Sequence, residues 1–311
     1  MKQDLKSCLK KIFFSAGEQH TTQSSFVTHN NGDTRVLQPA YTVRLKPEPN
    51  EELPASAPQG GAGTAQRSTA EMSLVWCGLT DTGLIRDHNE DFFSCKALEE
   101  SSLFIVADGM GGHDAGEVAS RLAVETVCKE VQESAKGVYD PEKLLERAVQ
   151  HANAEVIREG VNKGYIMGTT LTLALMARER AYIASVGDSR TYWIENGSIR
   201  QITEDHSLVA KLVSAGKLMK EESRTHPKAN LLYRTIGTDE NVKVDTFKVD
   251  LKRGDSLLLC TDGLWGEVTD EDIHRVCSTE EDLTTACTKL IQAANDNGGK
   301  DNITAVVVKL V

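Results

Sequence analysis

The chain has 311 residues, with 35 Lys and Arg against 46 Asp and Glu, for a formal charge of −11. So acidic a balance is a poor match to a phosphate-backbone binder, which puts nucleic acid last among partners. Hydrophobic and charged fractions of 40% and 26% are those of an ordinary soluble globular protein with a sizeable core.

The longest apolar runs, such as Leu103-Phe104-Ile105-Val106-Ala107, fall far short of the roughly 18 residues that span a bilayer, so no membrane insertion is expected. The seven cysteines are odd in number and scattered, with no C-x-x-C pair, which reads as reduced thiols in a cytoplasmic protein. Lys2, Lys6, Lys10 and Lys11 precede only Ile12-Phe13-Phe14, too short for a signal-peptide core. From residue 15 to about 69 the chain is polar and rich in Pro, Gly and Ala, and cannot bury enough apolar surface to offset its ordering entropy. Residues 1–71 are therefore expected to be a disordered extension, with one short strand at 40–45. A single domain follows over 72–311, and Met72 could be an internal start.

Within that domain residues 102–107 read as a buried strand running into the glycine-rich loop Asp108-Gly109-Met110-Gly111-Gly112. Val118, Leu122, Val127 and Val131 recur at helical spacing. Pro141 opens a second amphipathic helix through Leu144, Leu145, Ala148 and Val156. Strands are expected at 170–176, 181–186 and 191–194, with Asn196-Gly197 as a two-residue hairpin turn before Ile199. A helical segment at 207–215, strands at 242–249 and 256–260, a helix at about 281–294 and a closing strand at 303–310 complete the domain, without internal repeat.

Four segments set an acid beside glycine or asparagine near the end of an apolar run: Asn89-Glu90-Asp91, Ala107-Asp108-Gly109, Thr261-Asp262-Gly263 and Lys300-Asp301-Asn302. Taken singly, each is also a common turn former. Together they have the composition of a hard-cation site, because small neighbours let backbone carbonyls join carboxylates as oxygen ligands. Carboxylates that converge cannot all stay ionised unless cations sit between them. Two such ions can hold a bridging hydroxide and orient a phosphoryl group for in-line attack. Arg86, just before the first segment, suits bidentate phosphate binding, although an arginine alone is an ordinary surface charge.

Arg86-Asp87-His88-Asn89-Glu90-Asp91, Ala107-Asp108-Gly109-Met110-Gly111-Gly112-His113, Gly168-Thr169-Thr170, Val186-Gly187-Asp188-Ser189-Arg190, Thr261-Asp262-Gly263-Leu264-Trp265 and Gly299-Lys300-Asp301-Asn302-Ile303-Thr304 occur in that order. In order and spacing the chain over 73–311 resembles the metal-dependent protein serine/threonine phosphatases of type 2C, in their bacterial form. The resemblance implies an α+β fold, a four-layer α-β-β-α sandwich of two antiparallel sheets flanked by helix pairs, with the metals at one end between the sheets. It implies two Mn²⁺ or Mg²⁺ ions, with Asp108 bridging both, Gly109 giving a carbonyl, Glu90 helping to hold the second ion, and Asp262 and Asp301 binding the first. Asp188 matches the ligand of a more loosely held third ion, and a turn acid is the alternative reading. Asp91 would lie behind the ligands, hydrogen-bonded to water, and Arg86 would pair with the substrate phosphate. Residues 168–170 would support the site.

Where eukaryotic members have a histidine thought to protonate the leaving alkoxide, this chain has Met110, which cannot. A metal-bound water could do so instead, His113 and His88 are nearby in sequence, and the general acid is left unassigned. Residues 205–237 resemble the bacterial flap that shapes substrate access, with a plain surface helix and loop as the alternative. The implied function is hydrolysis of phosphoserine and phosphothreonine in phosphorylated proteins by a metal-activated bridging water. The implied partner is a serine/threonine kinase or its substrates, in signal transduction, for a cytoplasmic monomer. Competing chemistries fit less well. There is no Asp-x-Asp-x-Thr for an aspartyl-phosphate route, and no cysteine precedes an arginine at thiolate-phosphatase spacing. A metal-free pseudoenzyme would have replaced one of the acids, and a nuclease would prefer a basic groove.

Overall fold

The computed structural model describes residues 36–44, 72–112, 115–137, 139–224 and 226–311. Its elements in chain order are β1 (Val36–Arg44), β2 (Ser73–Asp81), β3 (Asp91–Ala97), β4 (Ser102–Met110), α1 (Ala115–Ser134), α2 (Pro141–Lys163), β5 (Gly168–Thr169), β6 (Leu171–Ala177), β7 (Arg180–Val186), β8 (Arg190–Glu195) and β9 (Ser198–Gln201). There follow α3 (Leu208–Ser214), α4 (Lys220–Ser223), β10 (Asp245–Asp250), β11 (Ser256–Cys260), α5 (Asp262–Trp265), α6 (Asp270–Thr279), α7 (Leu283–Asp296) and β12 (Ile303–Leu310).

Local chemistry sets the ends of these elements. Asp140 caps α2 by accepting from the Glu142 and Lys143 amides, Pro141 supplies a preset φ, and Gly164 ends the helix at φ 75°. Asn196-Gly197 joins β8 to β9, with Gly197 at φ 96° and Glu195 opposite Ser198. Asp282 caps α7, its Oδ2 accepting from Thr285 N at 2.8 Å and Thr285 Oγ1 at 2.6 Å. Those bonds, the Thr285 hydroxyl first, hold the carboxyl below its ordinary pKa, so the cap's contribution is present above the unfolded-state value and is lost as pH falls through the folded one. Asp282→Ala is expected to cost about 1 kcal/mol at neutral pH. Urea midpoints of the two proteins should converge in acid.

The strands form two antiparallel sheets, in the orders β1-β2-β12-β11-β8-β9 and β10-β7-β6-β4-β3, with β5 beside β4. Three apolar clusters make four layers of them. Leu74, Trp76, Phe104, Val106, Ile183 and Val306 fill the space between the sheets. Leu103, Ile105, Leu173 and Ala184 face the opposite side of the second sheet and pack on Val127, Leu145 and Val149 of α1 and α2. Cys77, Leu258, Ala305 and Val307 face outward from the first sheet onto Ile273 of α6 and Leu290 of α7. The inner strands thus alternate between two cores, as expected where both sheet faces are covered, while the edge strands β9 and β10 are largely exposed. No helix among the described residues is long and apolar enough to cross a membrane. The six described cysteines are free.

The expected elements appear in the expected order, with the following differences. The short strand expected at 40–45 runs from Val36 and pairs antiparallel with β2, with an irregularity between Gln38 and Tyr41. These nine residues belong to the sheet edge; the rest of 1–71 lies outside the described residues. The strand expected at 242–249 begins only at Asp245, because Val242 turns into the helix-side core. The strands β2, β3 and β5 and the helices α4, α5 and α6 have no counterpart in the sequence reading; in α6, DEDIHRVCST buries only Ile273 and Cys277, and its start is fixed by Thr269 Oγ1 accepting from Asp272 N.

Candidate metal centre

All four acid-bearing segments reach one end of the sandwich. After β2, Asp81 accepts from Gly83 N at 2.9 Å, and Leu84 N donates to Gly299 O at 2.8 Å. Gly83 sits at φ 79°, where an added Cβ would strike the carbonyls of Asp301 and Gly299. This tight turn carries Arg86 across to Asp301, Nη2 to Oδ2 at 2.8 Å. Asn302 then ties the turn to the start of β12. Its Oδ1 accepts from Glu90 N, and its Nδ2 donates to the Thr82 and His88 carbonyls.

The register of β3 and β4 sets Asp91 opposite Asp108. Asp108 lies inside β4 rather than after it, its N accepted by Thr170 Oγ1 and its carbonyl accepting from Thr169 Oγ1 and Thr170 N. Thr169 and Thr170 therefore hold the Asp108 backbone. Gly109 N donates to Glu90 O, and Gly109 lies so close to Gly116 of α1 that any Cβ there would collide with the Gly116 carbonyl. The Gly116 amide in turn engages the Glu90 carboxylate, and Ser120 Oγ donates to the Glu90 carbonyl at 2.6 Å. Asp262 opens α5 directly after β11, where Gly263 packs against the Asn302 carbonyl.

Burial of several acids close together is the dominant physical feature. Burial first, then the charges of Asp262, Asp91, Asp188 and Asp301, push the Asp108 carboxyl far above its usual range. Burial and then Asp301 raise Asp262 to about 6. Asp91, 5% exposed, is raised by burial to about 8 although the Thr304 and Thr261 hydroxyls donate to its Oδ2 at 2.6 and 2.8 Å. Asp188 is raised by burial, then by Asp262 and Asp205. Glu90 is raised mainly by burial.

Among the described residues no three His, Cys, Asp or Glu side chains stand as a closed coordination set, and Asp301 leans on Arg86. The donor set nevertheless fits hard divalent cations. It is all oxygen, and the buried Asp262 Oδ1 and Asp91 Oδ1 have no hydrogen-bond donor, a costly state for carboxylate oxygens that positive charge would relieve.

Asp188 lies on the turn between β7 and β8, at the wall of a cleft of ≈620 Å³ that also reaches Asp262, Asp301, Trp265, Val209 and Tyr233. Trp265 Nε1 donates to the Asp188 carbonyl at 3.0 Å, and the Arg190 guanidinium stacks 3.5 Å over the Trp265 ring. A second cleft, ≈670 Å³ between β3 and α1, holds none of these acids. Met110 pairs with Gly168, His88 is exposed, and His113 lies outside the described residues. Asn302, Thr261, Thr304, Ser120 and Gly116 hold the acids in place, yet sequence reading gave them no such role. Their signal in the sequence is limited to Thr261, Asn302 and Thr304, which stand within the acidic motifs, and Gly116 and Ser120 have none.

Residues 86–307 match the family described as Protein phosphatase 2C. The chain belongs to that family. The serine/threonine phosphatase stp of Listeria innocua is 40% identical to it over 237 residues, covering 74% of this chain and 93% of the relative. The serine/threonine protein phosphatase PstP of Mycobacterium tuberculosis is 37% identical over 248 residues, 78% of this chain and 46% of the relative. Among solved structures, the catalytic domain of PstP in complex with two manganese ions superposes with a TM-score of 0.69 at 33% identity, covering 77% of this chain and 99% of that one. Stp1 of Staphylococcus aureus gives 0.71 at 34% identity, covering 82% and 99%. This protein phosphatase 2C member is accordingly a metal-dependent serine/threonine phosphoprotein phosphatase with the α+β sandwich of its relatives.

Proposed function

We propose that the phosphatase hydrolyses phosphoserine and phosphothreonine by attack of water at phosphorus, without a covalent enzyme intermediate, at a centre of two Mn²⁺ or Mg²⁺ ions. The ligands would be Asp108 between both ions, the Gly109 carbonyl and Glu90 on one, and Asp262 and Asp301 on the other, with Asp188 on a third, weaker ion. The observation that carries this reading is the unpaired, buried Asp262 Oδ1 inside a cluster of acids drawn from separate segments. The two manganese ions of the PstP catalytic domain support it. When bound, the ions would lower the pKa of a water between them and offset the charge of the phosphoryl oxygens.

The chain's own residues supply position and electrostatics. Asp91 is fixed at Oδ2 by the Thr261 and Thr304 hydroxyls and keeps its buried Oδ1 without a protein donor, which leaves that oxygen to accept from water. Arg86 exchanges Asp301 for phosphoryl oxygens, which its planar fork can bind two at a time. Arg86→Ala is expected to lower kcat/KM by about tenfold to a hundredfold, the value of one charged hydrogen-bond partner. Arg86→Lys should recover little of it, because an ammonium lacks the fork. Steady-state kinetics on a phosphothreonine peptide measure both.

The phosphorylated partner would be a serine/threonine kinase or its substrates, met by a cytoplasmic monomer. The catalytic body would be 72–311 with its flap at 205–237, and β1 added at one sheet edge. Turnover of the same peptide should require Mn²⁺ or Mg²⁺ and be lost in Asp262→Asn. Undiminished turnover in chelator would falsify the metal mechanism.

A further inference from the structure

The flap begins at Asp205-His206, and this dipeptide grips the Asp188 turn from both sides. His206 is 1% exposed. Its backbone N donates to Gly187 O at 2.9 Å, and its ring Nδ1 accepts from Gly187 N at 2.9 Å, so both polar groups of the residue before Asp188 are held by one side chain and its own backbone. With Nδ1 accepting, the neutral ring carries its proton on Nε2, which lies between Asp245 Oδ2 at 2.9 Å, the acceptor, and Arg234 Nη1 at 2.8 Å. Asp245 is itself held by Arg234 at 3.0 Å and Lys243 at 3.2 Å. On the other side, the Asp205 carboxylate receives Arg190 Nε at 3.0 Å and Nη2 at 2.7 Å. Arg190 covers Trp265, which donates to the Asp188 carbonyl.

The turn between these grips cannot relax by itself. Gly187 sits at φ 104°, where a Cβ would strike Thr170, and Ser189 Oγ bonds Thr170 Oγ1 at 2.7 Å. The far end of the flap closes on the same point, with Tyr233 N donating to His206 O at 2.9 Å.

We propose that His206 is a positioning residue for Asp188, fixing through Gly187 the turn that presents this carboxylate and so joining the flap to the weakest divalent-ion position. The proposal rests on the reading of Asp188 as a ligand of that ion. A buried histidine that only filled space would not need a tautomer, an orienting acid and a backbone grip on the residue beside a ligand. Residues that orient a ligand typically change metal affinity tenfold or more when replaced.

The test is a Mn²⁺ titration of the full chain, with free ion followed by its electron paramagnetic resonance signal, alongside thermal melting. His206→Leu keeps the bulk and removes the acceptor. It is expected to weaken the weakest site about tenfold and leave the tighter sites within about twofold. His206→Asn, whose Oδ1 can stand in for Nδ1, should restore most of that affinity. Asp188→Ala should remove the weakest site altogether. An unaltered isotherm in Asp188→Ala overturns the ligand reading and the proposal with it. Loss of the site in Asp188→Ala with no change in His206→Leu overturns the proposal alone, as does equal weakening at every site. Should His206→Leu fail to fold, Asp245→Asn, which frees the ring to rotate, is expected to weaken the same site about threefold, and no shift there counts equally against the proposal.

Discussion

Asp108→Asn is expected to abolish turnover and, in chelator, to make the protein harder to unfold. Both effects have one cause. Asp108 is half-buried opposite Asp91, and its charge is opposed by Asp262, Asp91, Asp188 and Asp301. No folding advantage keeps a carboxylate there, since it costs electrostatic energy in the absence of cations. A neutral amide of the same shape removes that repulsion, so the chelated variant should gain about 1–2 kcal/mol, which for a body of this size is a melting rise of roughly 3–6 °C. The same change removes the proposed bridge between two ions, and kcat should fall about a thousandfold or more. Stability and activity moving in opposite directions is the mark of a group retained for chemistry. A melting point lowered in chelator would mean that Asp108 is held by contacts that favour its charge.

The pH dependence of stability should change sign with metal. In chelator, Asp262 at about 6 and Asp91 at about 8, with Asp108 and Asp188 also raised, bind protons in the folded state that an unfolded chain releases near pH 4. The folded state then holds more protons, so stability is fully present below the unfolded-state values and is lost as pH rises through the folded ones. A melting point falling steadily from pH 5 to pH 8, by an amount corresponding to about 2 kcal/mol or more, is the expected result in differential scanning calorimetry. With saturating Mn²⁺ the ionised carboxylates are the binding form, so the decline should flatten or reverse. A decline of equal slope with and without Mn²⁺ would separate these acids from metal binding.

Much of this architecture was legible because local signals and global packing agree. The apolar run ending in Asp108-Gly109 is β4, buried on both faces between α1 and the other sheet. Pro141 and Asn196-Gly197 mark a helix start and a hairpin where they stand. The strand β1 was harder, because it is an edge strand interrupted by Pro39 and half exposed. Its place is set by pairing with β2 and by Tyr41 stacking on Trp76 at 5.6 Å, both contacts with distant residues. The supports of the site were illegible for the same reason. Thr304 holds Asp91 from 213 positions away, and Asn302 holds Glu90 from 212. Both stand in the motif around Asp301, but nothing there tells which remote acid each one holds. The acids themselves could be read, since hard cations need oxygen donors beside small residues wherever the chain brings them together.

The most direct measurement counts bound Mn²⁺ and turnover in the same samples, by dialysing the protein against graded Mn²⁺, determining bound metal by atomic absorption and assaying a phosphothreonine peptide. Turnover should rise only as occupancy passes one ion per chain and level off near two, and Asp262→Asn should hold less metal and stay inactive. Full turnover in protein carrying no divalent ion would contradict the account.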